Sequence, residues 1–300
     1  MFIQNYFRSI AMAVACCAAA TCGARTWSEG IAAVQGTGRN TMTYRYYLPQ
    51  NYDPDVAYPL VLFLHGAGER GSDNVSQVAN HIAGLIDQTY SQYPAILVAP
   101  QAPASTNWYT SSTRGLAGDV LDRIIADFHV DADRMYLTGL SMGGFGTIDY
   151  LDYYTHIEPG RFKFAAAVPM SSGISFVTDL SQIEPWQDTP IWLIHGAQDT
   201  TVPVEQSRDA FRSYSGLGPL DPIDFNSLAL SRHPTAVAEN IRYTEVVRGG
   251  HVIWSPFYNS NELYDWMFSQ SLAVPEPSSI LLFVAGLVLL RLRVFTNVLC

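Results

Sequence analysis

The residues Gly139-Leu140-Ser141-Met142-Gly143-Gly144 contain the pattern G-x-S-x-G. A serine hydroxyl becomes a useful nucleophile near neutral pH once a base takes its proton. Set between a strand and a helix, this pattern makes a turn so tight that small residues must flank the serine. Its Oγ is then left exposed at a helix N-terminus. Backbone N–H groups and the helix dipole favour negative charge developing there. Serine, acid and histidine are expected in that chain order around such a turn. Downstream, His195-Gly196-Ala197-Gln198-Asp199 follows an apolar run and offers Asp199 as the acid. Asp188 and Asp209 fall before that run or inside the next helical segment and read as solvated surface. Four histidines follow Ser141, namely His156, His195, His233 and His251, and two of them, His233 and His251, also follow Asp199. His251, in Gly249-Gly250-His251, is preferred as the base, because a glycine-rich strand exit delivers a loop side chain to the sheet edge. His233 reads as a surface residue of a long loop.

Acyl transfer also needs two backbone N–H groups aimed at one oxygen. Met142, directly after the serine, supplies one. The second is expected from Leu64-His65-Gly66-Ala67-Gly68-Glu69-Arg70-Gly71, where the glycines let backbone approach a substrate. Ala67 is the first choice there and Gly68 the second. His65 precedes the serine in the chain and reads as structural. Trp108, Tyr109, Trp254, Phe257 and Tyr258 lie near loops of the same edge and suit an aromatic wall for an acyl or aryl group. From these, Trp108 and Trp254, together with Gly68, are the expected substrate contacts.

These side chains must be held by a framework. Continuous apolar runs at Pro59 to Leu64, Ala95 to Ala99, Arg134 to Thr138, Phe164 to Pro169 and Ile191 to Ile194 suit strands buried on both faces. Thr41 to Leu48 and Ile241 to Val247 read as further strands. Ala117, Val120, Leu121, Ile124, Ile125 and Phe128 make one apolar stripe at helical spacing. Val204 to Tyr214 and Asn261 to Ser269 are helical too. Strands alternating with helices predict an α/β fold with a mostly parallel central sheet flanked by helices on both faces. Residues 216–240, punctuated by Pro219, Pro222 and Pro234, read as a long loop bordering the site.

Hydrophobic residues make up 48% of the 300 and charged residues 15%, a composition that excludes a disordered or fibrous chain. A net charge of −10 with scattered arginines argues against nucleic-acid partners. The four cysteines are Cys16, Cys17, Cys22 and Cys300. The body between the two ends therefore has no internal disulfide, cysteine nucleophile or thiolate metal site. Residues 1–24 have the layout of a secretory signal peptide: Arg8, an apolar stretch from Ile10 to Ala20, then the small residues Cys22-Gly23-Ala24. Residues 26–273 form the expected catalytic domain. In 274–295, Pro275-Glu276-Pro277 precedes an apolar run from Ile280 to Leu290 and then Arg291 and Arg293. That run is shorter than the roughly 20 residues of a full membrane span.

The tail resembles the PEP-CTERM sorting signal of exported Gram-negative bacterial proteins, which implies an exosortase-type partner and transient membrane contact. The body resembles the α/β-hydrolase superfamily. More narrowly, LVLFLHGAGERGSDN, Ala99-Pro100-Gln101, Tyr136 to Gly144, HGAQDTTVPVEQSR and GGHVIW look like the bacterial predicted-peptidase and carboxylesterase-like group. That group borders feruloyl-esterase-like and polyhydroxyalkanoate-depolymerase-like hydrolases. The resemblance implies a Ser141–His251–Asp199 triad with Ala67 and Met142 as oxyanion donors. It also implies no metal or organic cofactor, and a small or polymeric ester as substrate. The long segment 216–240 departs from the short link expected in that group. The expected activity is ester hydrolysis through an acyl-enzyme by an exported protein placed in the periplasm, at the cell surface or outside the cell. A prolyl-oligopeptidase-like serine peptidase and a catalytically inert surface-binding protein are the alternatives.

Overall fold

The computed structural model describes residues 28–33, 41–174, 189–215, 235–238 and 240–273. The expected signal peptide, the sorting tail and most of the 216–240 segment lie outside them. Among the described residues nine strands form one sheet in the order β1-β2-β4-β3-β5-β6-β7-β9-β8. They are β1 (Ser28–Ala33), β2 (Thr41–Tyr47), β3 (Tyr58–Leu64), β4 (Ile96–Pro100), β5 (Val130–Leu140), β6 (Ala166–Met170), β7 (Ile191–Gly196), β8 (Thr235–Ala238) and β9 (Ile241–Val246). Strands β4, β3, β5, β6, β7 and β9 run parallel, while β1, β2 and β8 join antiparallel at the edges.

The continuous apolar runs are explained by the two faces of this sheet. Leu60, Leu62 and Leu64 of β3 point to one core and Val61 and Phe63 to the other. Side-chain direction alternates along a strand, so both sets must be apolar when both faces are covered. Helices α1 (Ser76–Ala79), α2 (Ala83–Asp87), α3 (Ser111–Asp127), α4 (Met142–Asp152), α5 (Glu205–Tyr214), α6 (Trp254–Tyr258) and α7 (Asn261–Phe268) provide the cover. Leu116, Val120 and Ile124 of α3, Ile148 and Leu151 of α4 and Phe211 of α5 fill one face. Leu85 of α2, Trp254 and Tyr258 of α6 and Leu263 and Met267 of α7 fill the other. Among the described residues no helix is long and apolar enough to cross a membrane.

Two edge features differ from the sequence expectation. Strand β1 extends the sheet beyond the first expected strand, pairing Ser28 to Ala33 with Tyr46 to Thr41. The segment 216–240, expected as loop, contains β8, whose residues pair antiparallel with β9 from Thr235↔Thr244 to Ala238↔Ile241. A hairpin at the sheet edge gives the backbone its hydrogen bonds without requiring an apolar pattern.

Candidate active site

The parallel strands deliver their C-terminal ends to one edge, where ligands bind in open α/β sheets. Ser141 follows β5 directly, and α4 starts at the next residue. Its backbone has φ 53° and ψ −118°, a region that costs a non-glycine residue about 1–3 kcal/mol. Packing holds the turn in that geometry. A Cβ on Gly143 would fall on the Leu64 carbonyl oxygen, and one on Gly139 would fall on the Gly143 carbonyl oxygen. Strand β3 and helix α4 thus touch backbone to backbone. The Ser141 N–H donates to the Met170 carbonyl at 2.9 Å, tying the turn to β6 as well.

The acid and the base leave neighbouring strands. Asp199 follows β7 and His251 follows β9, and these two strands pair in parallel. Their exit loops are stitched together. The Gln198 N–H donates to the Gly249 carbonyl at 2.8 Å, and the Ala197 N–H donates to Val246 at 3.0 Å. The Ser171 hydroxyl donates to the His251 carbonyl at 2.9 Å, fixing the histidine loop from the β6 side.

The side chains then form one chain of contacts. His251 Nε2 lies 2.9 Å from Ser141 Oγ, and His251 Nδ1 lies 2.7 Å from Asp199 Oδ2. A carboxylate only accepts, so Nδ1 carries the ring proton and the Nε2 lone pair faces the serine hydroxyl. The Asp199 side chain is fully buried. Burial alone would push its pKa up. Hydrogen bonds from His251 and from the Val202 and Thr201 N–H groups outweigh that and hold it below the ordinary carboxylate value. Those two N–H groups reach Asp199 Oδ1 at 2.9 and 2.8 Å, so the carboxylate stays ionised and oriented.

Ala67 and Gly68 are exposed in a short 3₁₀ turn, residues Ala67–Glu69, after β3. His65, buried beneath that turn, places Nδ1 2.6 Å from the Gly66 carbonyl, and its Nε2 accepts the Ala102 N–H at 2.9 Å. The amide donor at Nε2 makes Nδ1 the protonated nitrogen. Burial pushes the His65 pKa down to about 4. The ring is therefore neutral near pH 7 and structural in role, as its place in the chain indicated. The Arg70 guanidinium donates to the Ala67 carbonyl at 2.9 Å and to the Thr106 carbonyl at 3.1 Å, joining the loops after β3 and β4. Met142 opens α4, and no side chain caps the helix N-terminus.

The expected aromatic wall takes a different form. Trp108 is completely buried and donates its indole N–H to the His65 carbonyl at 2.8 Å. Its place is the core beneath the rim, because the indole finds there the acceptor that a buried N–H needs. Tyr258 is also fully buried, with its hydroxyl 3.0 Å from that of Thr138. Trp254 is 3% exposed, and its ring meets the His251 imidazole edge-to-face at 5.4 Å. It packs against the base rather than lining an open surface. Tyr109 and Phe257 are part-exposed, and Phe257 packs against Trp192. His156 contacts Asp152 on the far helix turn, Asp209 pairs with Arg212 on the surface, and Asp188 and His233 lie outside the described residues. Sequence reasoning passed over His195, which precedes the acid in the chain. The structure buries it against Asp199. A polar residue ending an otherwise apolar strand was its one signal.

Comparison with known proteins bears on the fold and the family. A family model described as "Putative esterase" matches residues 36–251. A bifunctional acetylxylan esterase/xylanase of Neocallimastix patriciarum is 26% identical over 182 residues, 60% of this chain and 24% of that protein. A probable feruloyl esterase C of Aspergillus terreus is 27% identical over 207 residues, 62% of this chain and 71% of the other. The crystal structure of a thermostable esterase matches with a TM-score of 0.64 at 31% identity, covering 82% of this chain and 63% of that one. The chain thus spans less than two thirds of the Neocallimastix protein and of the solved esterase. With its parallel sheet, its strained serine turn and a family match over most of its length, the chain has the α/β-hydrolase fold and belongs to the putative-esterase family.

Proposed function

We propose that the protein hydrolyses carboxylic esters through an acyl-enzyme formed on Ser141. The observation that carries this reading is the continuous contact from Ser141 Oγ through His251 to Asp199, at 2.9 and 2.7 Å. His251 Nε2 takes the hydroxyl proton as Oγ attacks the ester carbonyl. The carbonyl π electrons move to oxygen, and the N–H groups of Ala67 and Met142 hold that oxyanion. His251 returns the proton to the departing alkoxide, which leaves as alcohol. Water then attacks the acyl-enzyme by the same route and releases the acid. Asp199 keeps the imidazole in the right tautomer and stabilises the imidazolium. His65 and Arg70 support the oxyanion peptide: the Gly66 carbonyl held by His65 belongs to the same planar unit as the Ala67 N–H.

Related esterases bear names for acetylxylan and feruloyl substrates. A small or aromatic acyl group esterified to a carbohydrate is accordingly the substrate class favoured here. Export through residues 1–24 and sorting through 274–295 by an exosortase-type partner complete the reading. Their support is the sequence pattern of both ends.

Short p-nitrophenyl esters provide the test. Ser141→Ala is expected to keep the fold and lower kcat by about 10³-fold or more. Full turnover by a purified, folded Ser141→Ala protein would remove the assignment.

A further inference from the structure

His195 is a fully buried ionisable side chain outside the triad, and it sits one residue from the end of β7. Its Nε2 lies 3.0 Å from the Val202 carbonyl oxygen and 3.2 Å from Asp199 Oδ2. Neither oxygen has a proton to give, so the contacts are attractive only when Nε2 carries the hydrogen. On the other side, Nδ1 lies 2.6 Å from the Ser207 hydroxyl, which itself lies 2.6 Å from the Ser172 carbonyl. The Ser207 hydroxyl donates to the Ser172 carbonyl, and its contact with Nδ1 anchors the ring to α5 and to the end of β6.

We propose that His195 is a positioning residue for the reaction assigned above: its Nε2–H shares the Asp199 carboxylate with His251 and, together with the Thr201 and Val202 N–H groups on the other oxygen, holds that carboxylate towards His251. The inference rests on the triad reading. Asp199 Oδ2 faces two imidazoles, hydrogen-bonded to His251 Nδ1 at 2.7 Å and in ion-pair contact with His195 Nε2 at 3.2 Å, while the same Nε2 is also hydrogen-bonded to the Val202 carbonyl. Among the described residues these two rings are the ionisable side chains paired with Asp199, so no other ionic partner sets its orientation. Two consequences follow. The carboxylate cannot rotate away from His251 without also leaving the buried His195 N–H. His195 also joins His251 and the Thr201 and Val202 N–H groups in sharing the carboxylate's negative charge, which limits how tightly the carboxylate holds the proton that His251 gains during attack. Burial pushes the His195 pKa down, in keeping with a neutral ring that offers one N–H here.

The test compares His195→Phe, which removes the donor, with His195→Gln, whose amide N–H reaches towards the same oxygen. The readouts are kcat, KM and the pH profile of kcat on a p-nitrophenyl ester, with circular dichroism as the check of folding. His195→Phe is expected to lower kcat by about 10- to 100-fold, the worth of one hydrogen bond to a charged group, with KM little changed. The acidic limb of its profile should move to higher pH, because a carboxylate relieved of one donor holds the remaining partner's proton more firmly. His195→Gln should recover both kcat and the position of the limb. A merely structural role would lower the folded fraction and leave the limb in place. Should His195→Phe fail to fold, Ser207→Ala, which releases the ring on its far side, is expected to move the limb in the same direction by a smaller amount. Unchanged kcat and an unmoved limb in whichever folded variant is measured would overturn the proposal. If Ser141→Ala is inactive in the same assay, that result counts against His195 alone. If Ser141→Ala is active, the triad reading itself has failed.

Discussion

At His65 the two ring nitrogens have separate duties, one donating to Gly66 and one accepting from Ala102. A second proton would break the bond to Ala102 and place a charge in the core. Hence the native ring resists protonation down to about pH 4, while an unfolded histidine takes its proton near 6.5. The unfolded chain therefore binds more protons than the native one between these values. Stability is complete above pH 6.5 and falls as the pH drops through that window. The slope from this group is at most about 1.4 kcal/mol per pH unit, and the total about 3 kcal/mol. His195, also held low by burial, acts in the same direction, and Asp199 adds a further loss once the pH falls below the usual carboxylate range. The melting temperature should fall between pH 6.5 and 4.5, and a His65→Gln variant should show a shallower slope. A flat melting temperature across that interval in the wild type would contradict the assignment of His65 as a buried neutral hydrogen-bonding ring.

Among the elements, the strand–turn–helix from β5 through Ser141 to α4 sets the geometry of the site, and its glycines are dictated by backbone contact. Gly143→Ala would force a methyl group onto the Leu64 carbonyl. Overpacking of this kind costs about 1–3 kcal/mol, and any relief moves α4 away from β3. Because Met142 N–H and Ser141 Oγ move with the helix, activity on short esters should fall by more than the loss of folded protein explains. Equal losses of activity and folded fraction would show that the helix start is not positioned by this contact. Elements with two buried faces were legible from sequence, since β3, β4 and β7 each require an unbroken apolar run. Helix α3 begins at Ser111, well before the stripe starting at Ala117, because Thr113 and Leu116 bury as well, and a buried threonine adds nothing to an apolar count. Strands β1 and β8 were not foreseen. Each lies at an edge and pairs through backbone with one neighbour, so the sequence carries little periodicity to mark it.

For the whole molecule, two cores on either side of one sheet hold strand ends in fixed register, and three loops from β5, β7 and β9 converge at one edge. Chain order and strand exits pointed to Ser141, Asp199 and His251 in the sequence, and these three side chains lie in hydrogen-bonding contact in the fold. The aromatic residues were harder to place. Exposed and buried tryptophans look alike in a sequence, and Trp108 is drawn inward by the acceptor that the His65 carbonyl provides. His195 was hidden for a related reason: its partners Val202, Ser207 and Ser172 come together once β6, β7 and α5 have packed. In the proposed reaction this assembly turns one hydroxyl, that of Ser141, into a nucleophile. Labelling the folded protein with a fluorophosphonate and mapping the adduct by mass spectrometry tests it most directly. A single adduct on Ser141 is expected, lost in Ser141→Ala and slowed in His251→Ala. An adduct on another residue, or ester turnover by protein that the reagent leaves unmodified, would contradict it.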